Sequence, residues 1–170
     1  MSDEPKLPNI TESRPDEERM RLLGLVAQEA AEYLGLSLDT DSAEYIVAAV
    51  NDCVRAIKKG EGPAFPEDAE VDLLLGCLWG PQLTRAFDWE WANITFHDHG
   101  DTKAVGVVSP TRDLAIYPFH FVYGCIENKA TVTILLSFNM LKERVAASTY
   151  PEYSYENVMD HVHHIVLPDE

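Results

Sequence analysis

The hydrophobic residues in the first third of the chain recur at steps of three and four, which is the spacing of amphipathic helices. One run begins near Pro15 and stops at Gly35. A second begins at Asp41, which stands three residues before Glu44 in the spacing of a capping box, and stops at Gly60. The two apolar faces consist of Leu23, Val26, Ala30, Tyr33 and Leu34, and of Ile46, Val50, Cys53, Val54 and Ile57. The pattern predicts an antiparallel helix pair over residues 13–60.

A linker and an N-terminal arm delimit the predicted parts of the chain. Residues 60–66 contain two glycines and two prolines, a composition typical of a linker. We interpret it as a boundary inside a single domain, residues 13–170, between the helical part and a mixed part, residues 67–170. Residues 1–12 are rich in proline and charge, and we expect them to be a mobile arm.

The mixed part opens with a third apolar run of helical spacing. The helix is expected to start at Pro66, because proline is tolerated in the first turn. It would direct Val71, Leu74, Leu75, Leu78 and Trp79 into the core. Gly76 and Gly80 would let a neighbouring element approach closely, and Pro81 is expected to kink the helix or restart it.

From Trp89 the hydrophobic period changes to two, which indicates a strand. Trp89 and Trp91 fall on one face and Ala92, Ile94 and Phe96 on the other. The polar residues 97–101 then predict a turn, residues 103–109 a returning strand, and residues 114–117 a short third strand. The result is a three-stranded antiparallel meander.

Helical spacing returns after the meander. Pro118 opens a predicted helix that extends to residue 128. Residues 131–138 fit either a strand, which their Thr and Val favour, or a helix, because Ile134, Phe138 and Leu141 fall at helical steps; we interpret them as a helix. The tail from Tyr150 is expected to wrap around the body. The predicted class is therefore α+β, with an N-terminal helix pair, a third helix, a small three-stranded antiparallel meander and C-terminal helices packed on the sheet.

The charge of the chain excludes some classes of partner. There are 13 Lys and Arg against 29 Asp and Glu, a net charge of −16. Such a charge opposes binding to nucleic acid phosphates and to anionic lipid, and it favours a basic protein partner. Between Lys59 and Lys103 the only basic residue is Arg85, so the acidity is concentrated in the mixed part.

The cysteines and the N-terminus indicate a location. Cys53, Cys77 and Cys125 are far apart and lie in apolar runs, as expected of buried thiols in a reducing compartment. The sequence begins without a signal segment, and no run approaches the roughly 18 apolar residues of a membrane span. We therefore expect a cytoplasmic protein.

The central stretch resembles a known pattern. Leu75-Gly76, Gly80, Trp89-Glu90-Trp91, the valine-rich strand at residues 105–108 and the helix opened by Pro118 resemble an uncharacterised bacterial domain family over roughly residues 67–128. The resemblance implies no catalytic residue. In size, charge and style the chain is also similar to the small acidic immunity proteins encoded beside bacterial toxins.

These observations favour a binding protein without a cofactor over an enzyme, because no nucleophile, phosphate-loop or dinucleotide motif is present. The specific hypothesis is an immunity protein that occludes a basic toxin surface. Its contact surface would be an acidic rim around Trp91, formed by Asp88, Glu90, Asp98 and Asp101.

Two alternatives remain open. His97, Asp98 and His99, with Asp101 nearby, are the residue types that ligate divalent metals, so the turn at residues 97–101 could serve a metal-dependent hydrolase. The exposed face of the sheet, with its tryptophans, could instead build a structural homodimer.

Overall fold

The computed structural model describes residues 7–63, 65–127, 130–143 and 150–162, without the side chain of His161. Within them the elements are β1 (Ile10–Ser13), α1 (Glu17–Leu34), α2 (Ala43–Lys58), α3 (Val71–Phe87), β2 (Glu90–Phe96), β3 (Thr102–Val108), β4 (Leu114–Ile116), α4 (Pro118–Glu127), α5 (Ile134–Lys142), β5 (Glu156–Asn157) and α6 (Met159–Val162). The turn between β2 and β3 is a short 3₁₀ segment. The predicted α+β class is confirmed.

The sheet contains the predicted meander but is larger and mixed. Its order is β1-β2-β3-β4-β5, with β1 to β4 antiparallel to their neighbours and β5 parallel to β4. The prediction of a sheet with only three strands was therefore wrong. The two missed strands lie at the edges, where each pairs backbone groups of β2 or β4 that would otherwise be left open.

The N-terminal edge strand also corrects the predicted arm. Residues 10–13 pair with residues 93–96, so the mobile arm does not extend over residues 10–12. Residues 1–6 lie outside the described part of the chain. The segment is short and polar, and it becomes a strand because it has the open edge of β2 to pair with.

The N-terminal helices follow the prediction, except at one cap. Asp16 caps α1 by accepting from the backbone N–H of Arg19 at 2.7 Å, and Gly35 ends the helix in the left-handed region at φ 66°. Ser42 caps α2, not Asp41 as predicted. Asp41 instead accepts from the backbone N–H of Ser37 at 2.8 Å and closes the loop before the helix.

The third helix begins later than predicted and does not restart. Pro66 opens a turn in which the carbonyl of Pro66 accepts from the N–H of Ala69 at 3.0 Å, and α3 begins only at Val71. From there the helix is continuous through Pro81 to Phe87, so a restart at this proline was wrong. Burial of its apolar residues stabilises the helix beyond its local propensity.

The three tryptophans lie in the core, and Trp91 packs against Gly80 of α3. The rings of Trp91 and Phe119 stack with centroids 5.6 Å apart and planes 11° apart. A Cβ added at Gly80 would overlap the indole of Trp91, and one added at Gly76 would overlap the ring of Phe119. The predicted close approach at these glycines is confirmed.

The two faces of the sheet bury different clusters, as the strand period predicted. Trp91 faces the helices, together with Val107 and Ile116, whereas Ala92 and Ile94 face the other way. α4 packs against α3 and β3, while α5 packs mainly against α2, so the C-terminal helices cover the sheet less than expected. The main core includes residues on both sides of the linker, and the domain division itself stays a prediction.

Candidate functional site

The predicted acidic rim is divided between the two ends of one hairpin. Asp88 and Glu90 stand at the start of β2, where Glu90 lies opposite Val108. Asp98 and Asp101 lie in the turn at the other end. Because β2 has seven residues at about 3.3 Å each, the two pairs are about 20 Å apart. A single rim around Trp91 was therefore wrong.

The Asp88 end keeps a small part of the expected site. Trp91 is only 7% exposed and points toward the helices, so its indole offers little contact surface. A cavity of about 150 Å³ is nevertheless lined by Arg14, Met20, Thr84, Trp89, Glu90 and Trp91. Met20 of α1 and the predicted contact residue Glu90 therefore line the same cavity.

The turn at residues 97–101 joins the N-terminal segment to the hairpin. The Nε2 of His97 lies 2.5 Å from the Oγ1 of Thr11, and its Nδ1 lies 2.7 Å from the Oδ1 of Asp101. The Oδ2 of Asp98 accepts from the backbone N–H of Asn9 at 2.9 Å. Both ring nitrogens of His97 are thus engaged, and no three His, Cys, Asp or Glu side chains within the described ranges are placed to hold a metal ion.

The order hydroxyl, imidazole, carboxylate in Thr11, His97 and Asp101 is the one found in serine hydrolases. Here the side chain of Asp101 is 72% exposed, and none of the three residues lines the cavity of about 720 Å³ that lies beside this turn. An active nucleophile of this kind needs a water-excluding site with donors for the developing oxyanion. We therefore infer that the hydrogen bonds among Thr11, His97 and Asp101 anchor β1 to the β2–β3 hairpin.

The strongest charged network was not anticipated from the sequence. Arg112 donates from Nε and Nη2 to the two carboxylate oxygens of Glu12, at 2.9 and 2.8 Å, and the hydroxyl of Tyr155 donates to Glu12 Oε1 at 2.8 Å. Glu90 is a weaker partner of Arg112, at 3.4 Å. Because Glu12 is 100 positions from Arg112 and 143 from Tyr155 in the chain, no local pattern could reveal the network.

The network fixes the charge state of Glu12. Its hydrogen bonds from Arg112 hold the pKa of Glu12 below its ordinary value, despite partial burial. Burial and the neighbouring Glu12 raise the pKa of the Tyr155 hydroxyl, which therefore stays protonated as the donor. The network, hereafter the Arg112 clamp (Glu12, Glu90, Arg112 and Tyr155), joins β1, β2, the turn before β4 and the tail.

A second cavity opens on the face of the sheet that carries Ala92 and Ile94. Its volume is about 720 Å³, and residues 7–10 and 154–157 border it. Aromatic rings of Phe96, Tyr117 and Tyr155 line it together with the carboxylates of Asp98 and Asp160. The remaining charged or titratable lining residues are His99, Lys103, His120 and Glu156. Asp98 was among the predicted contact residues, and His99 belonged with it to the alternative metal site.

Tyr117 is the unusual side chain of this cavity. The residue is 7% exposed, and its hydroxyl is buried without a hydrogen-bond partner among the described residues. Burial raises the pKa of Tyr117, and the neighbouring Tyr155 and Asp160 raise it further. The hydroxyl thus keeps an unused hydrogen-bonding capacity.

The three cysteines are buried and free, as predicted. Burial raises the pKa of Cys53 to about 11 and that of Cys77 to about 12. Burial also raises the pKa of Cys125 to about 11, although Lys58 acts in the opposite direction. Thiols in this state are poor nucleophiles at neutral pH, so none is a candidate for covalent catalysis.

Comparisons of the chain with models of protein families, with curated proteins and with solved structures found no match in any of the three. The resemblance over residues 67–128 therefore stays a prediction. No helix in the described part of the chain is both long and apolar enough to cross a membrane.

Proposed function

We propose that the protein is a cytoplasmic binding protein that neutralises a basic protein partner by covering part of its surface. An immunity protein for a bacterial toxin is the specific form of this proposal. Its support begins with the net charge of −16, which attracts basic surfaces over distance and repels nucleic acid. The proposal needs a surface where attraction can become a specific contact.

The outer face of α1 supplies that surface and is the observation that carries the proposal. Leu22 and Leu25 are 45% and 54% exposed, whereas Leu23 and Ala27 of the same helix are buried. At 3.6 residues per turn, Leu22 and Leu25 share the side of the helix opposite the buried stripe. Among the described elements, none covers this side of the helix, and the two leucines therefore stay exposed.

Acidic residues outnumber basic ones around the two leucines, where Arg21 pairs with Glu18 at 3.5 Å. Glu18, Glu29 and Glu32 are exposed and fall on the same half of the helix, which we call the α1 face together with Leu22 and Leu25. Apolar residues inside an acidic ring match a partner with apolar side chains inside a basic ring, because the charges then guide encounter and the apolar contacts prolong it. The small cavity beside Met20 and Glu90 adjoins the same helix.

The charge also argues against the homodimer. A two-fold contact on the α1 face would bring the acidic rings of two copies together, and like charges in contact oppose association. The predicted dimer through the exposed sheet face and the metal-dependent hydrolase remain as alternatives. Neither has a structural observation in its favour comparable to the α1 face.

The proposal is tested by capture from the native cells with three forms of the protein. The first is wild type, and the second carries Glu18→Lys and Glu29→Lys on the α1 face. The third carries Asp39→Lys and Glu61→Lys, an equal charge change at exposed positions outside that face. We expect one basic protein to be captured at equal stoichiometry by wild type and by the third form, and lost from the second.

The leucines give an independent readout on the captured partner. Leu25→Ser should leave the association rate nearly unchanged and raise the dissociation rate, since apolar contacts act after encounter. Capture of an acidic partner, or equal capture by all three forms, would refute the α1 face. A species of twice the chain mass at every concentration, with no other protein, would establish the homodimer instead.

A further inference from the structure

The cavity of about 720 Å³ combines aromatic rings with an excess of negative charge. Phe96 and Tyr117 lie with ring centroids 5.8 Å apart and planes tilted by 56°, and Tyr155 lines the same space. Without Glu156, which has a partner of its own, Asp98 and Asp160 supply two carboxylates against the ammonium of Lys103 among the described lining residues, with the histidines counted as neutral. This combination selects cations over anions.

Organic cations have a particular affinity for such surroundings. The faces of aromatic rings carry negative electrostatic potential, so an ammonium group placed against them is attracted while its apolar body stays in contact with carbon. Carboxylates at the edge add direct charge attraction. A metal ion is a poorer match, because no group of three metal-ligating side chains occurs in the described ranges.

The size and the unused hydroxyl of Tyr117 agree with a small ligand. A volume of about 720 Å³ falls in the range of about 300 to 1,000 Å³ that is usual for small-molecule sites. The buried hydroxyl of Tyr117 has no partner among the described residues, and Tyr155 and Asp160 line the same cavity. An ammonium N–H donor entering beside these residues would satisfy it.

We propose that this cavity is a binding site for a small organic ammonium compound, with the cation between the rings of Phe96, Tyr117 and Tyr155 and the carboxylate of Asp160. The site is separate from the α1 face and does not depend on a protein partner. Asp98 is held in place by its bond from Asn9, so it contributes a fixed charge at the opposite edge.

The test uses three probes of nearly equal shape, 2-phenylethylammonium, 2-phenylethanol and 3-phenylpropionate, titrated into the full-length protein by calorimetry or NMR. The cation should bind with a millimolar or lower dissociation constant, about tenfold tighter than the alcohol, and the carboxylate should not bind measurably. Equal binding of cation and alcohol, or no binding of the cation at about 10 mM, would overturn the proposal.

Two variants locate the site, and one serves as a control. Phe96→Leu keeps an apolar side chain but removes the ring, and should weaken cation binding about fivefold while affecting the alcohol less. Asp160→Asn should weaken only the cation, about threefold at low salt. Asp39→Asn, at an exposed position outside the cavity, should change neither. Binding that is unchanged in both cavity variants would place the cation elsewhere and contradict the proposal.

Discussion

Replacement of Glu12 by Gln tests whether the Arg112 clamp stabilises the fold. The side chains of Arg112 and Glu12 are 18% and 21% exposed, so their hydrogen bonds are only partly screened by water. A hydrogen bond to a charged group contributes about 1.5 to 3 kcal/mol. Glu12→Gln removes the charge and one of the two acceptor positions, and we expect it to lower the free energy of unfolding by about 2 kcal/mol. For a chain of this size that is a fall in Tm of roughly 4 to 8 °C.

The pH dependence gives the prediction its sign. The pKa of Glu12 is lowered from its ordinary value of 4.5, chiefly by the hydrogen bonds from Arg112. A carboxyl with a lowered folded-state pKa adds stability that is present above the unfolded-state pKa and lost as the pH falls through the folded-state value. The stability difference between wild type and Glu12→Gln should therefore be constant near neutral pH and shrink progressively below about pH 4.5.

The assay is urea unfolding followed by tryptophan fluorescence at several pH values. Glu90→Gln is the matched control, because Glu90 contacts the same guanidinium at 3.4 Å but is 61% exposed. We expect the control to lose less than about 0.5 kcal/mol, as is usual for exposed ion pairs. Equal losses in the two variants, or a difference that persists undiminished at low pH, would refute the assigned role of Glu12.

Three further expectations follow from the packing. Gly80→Ala should destabilise the fold by about 1 to 3 kcal/mol, because its Cβ would overlap Trp91. Gly24→Ala has open space around it in α1 and should stabilise the fold by about 0.5 to 1 kcal/mol. Thermal unfolding of the two variants compares them directly. Ser42→Ala should lose about 1 kcal/mol in the same assay through loss of the α2 cap. All three cysteines should resist a thiol reagent at pH 8 in the native protein and react once it is unfolded; rapid labelling of the native protein would contradict their burial.

Local patterns in the sequence predicted the elements whose stability is local. The stop at Gly35, the alternation around Trp91 and the close approach at Gly80 each depend on a spacing or a residue type within one element, and the structure confirms them. The cap of α2 was misplaced by one residue because Asp41 and Ser42 are both good capping residues, and the choice depends on the preceding loop.

The features that were missed depend on tertiary contacts. β1 and β5 are short polar segments that become strands only beside an existing sheet edge. The large cavity lies between the segments that carry these strands, so its lining comes from the two ends of the chain and from the hairpin between them. No periodicity connects Phe96 with Tyr155 in the sequence, and the site emerges only when the fold brings them together.

The same limit explains the predicted acidic rim. Asp88 and Asp101 are close in sequence, yet Asp88 lies just before β2 and Asp101 just after it. The seven residues of this strand therefore hold them at opposite ends of the hairpin. The net charge of the sequence suggested a basic partner, and that partner stays a prediction. The two exposed leucines of α1, which fall outside the predicted apolar face of that helix, changed where we expect that partner to bind.

The central claim is tested most directly by the association rate with the captured partner, measured at low and at high salt for wild type and for the variant carrying Glu18→Lys and Glu29→Lys. The account predicts a wild-type rate about tenfold or more higher at low salt, and a variant that is slower at low salt and nearly equal to wild type at high salt. A wild-type rate that does not respond to salt, or a variant that associates as fast as wild type, would contradict it.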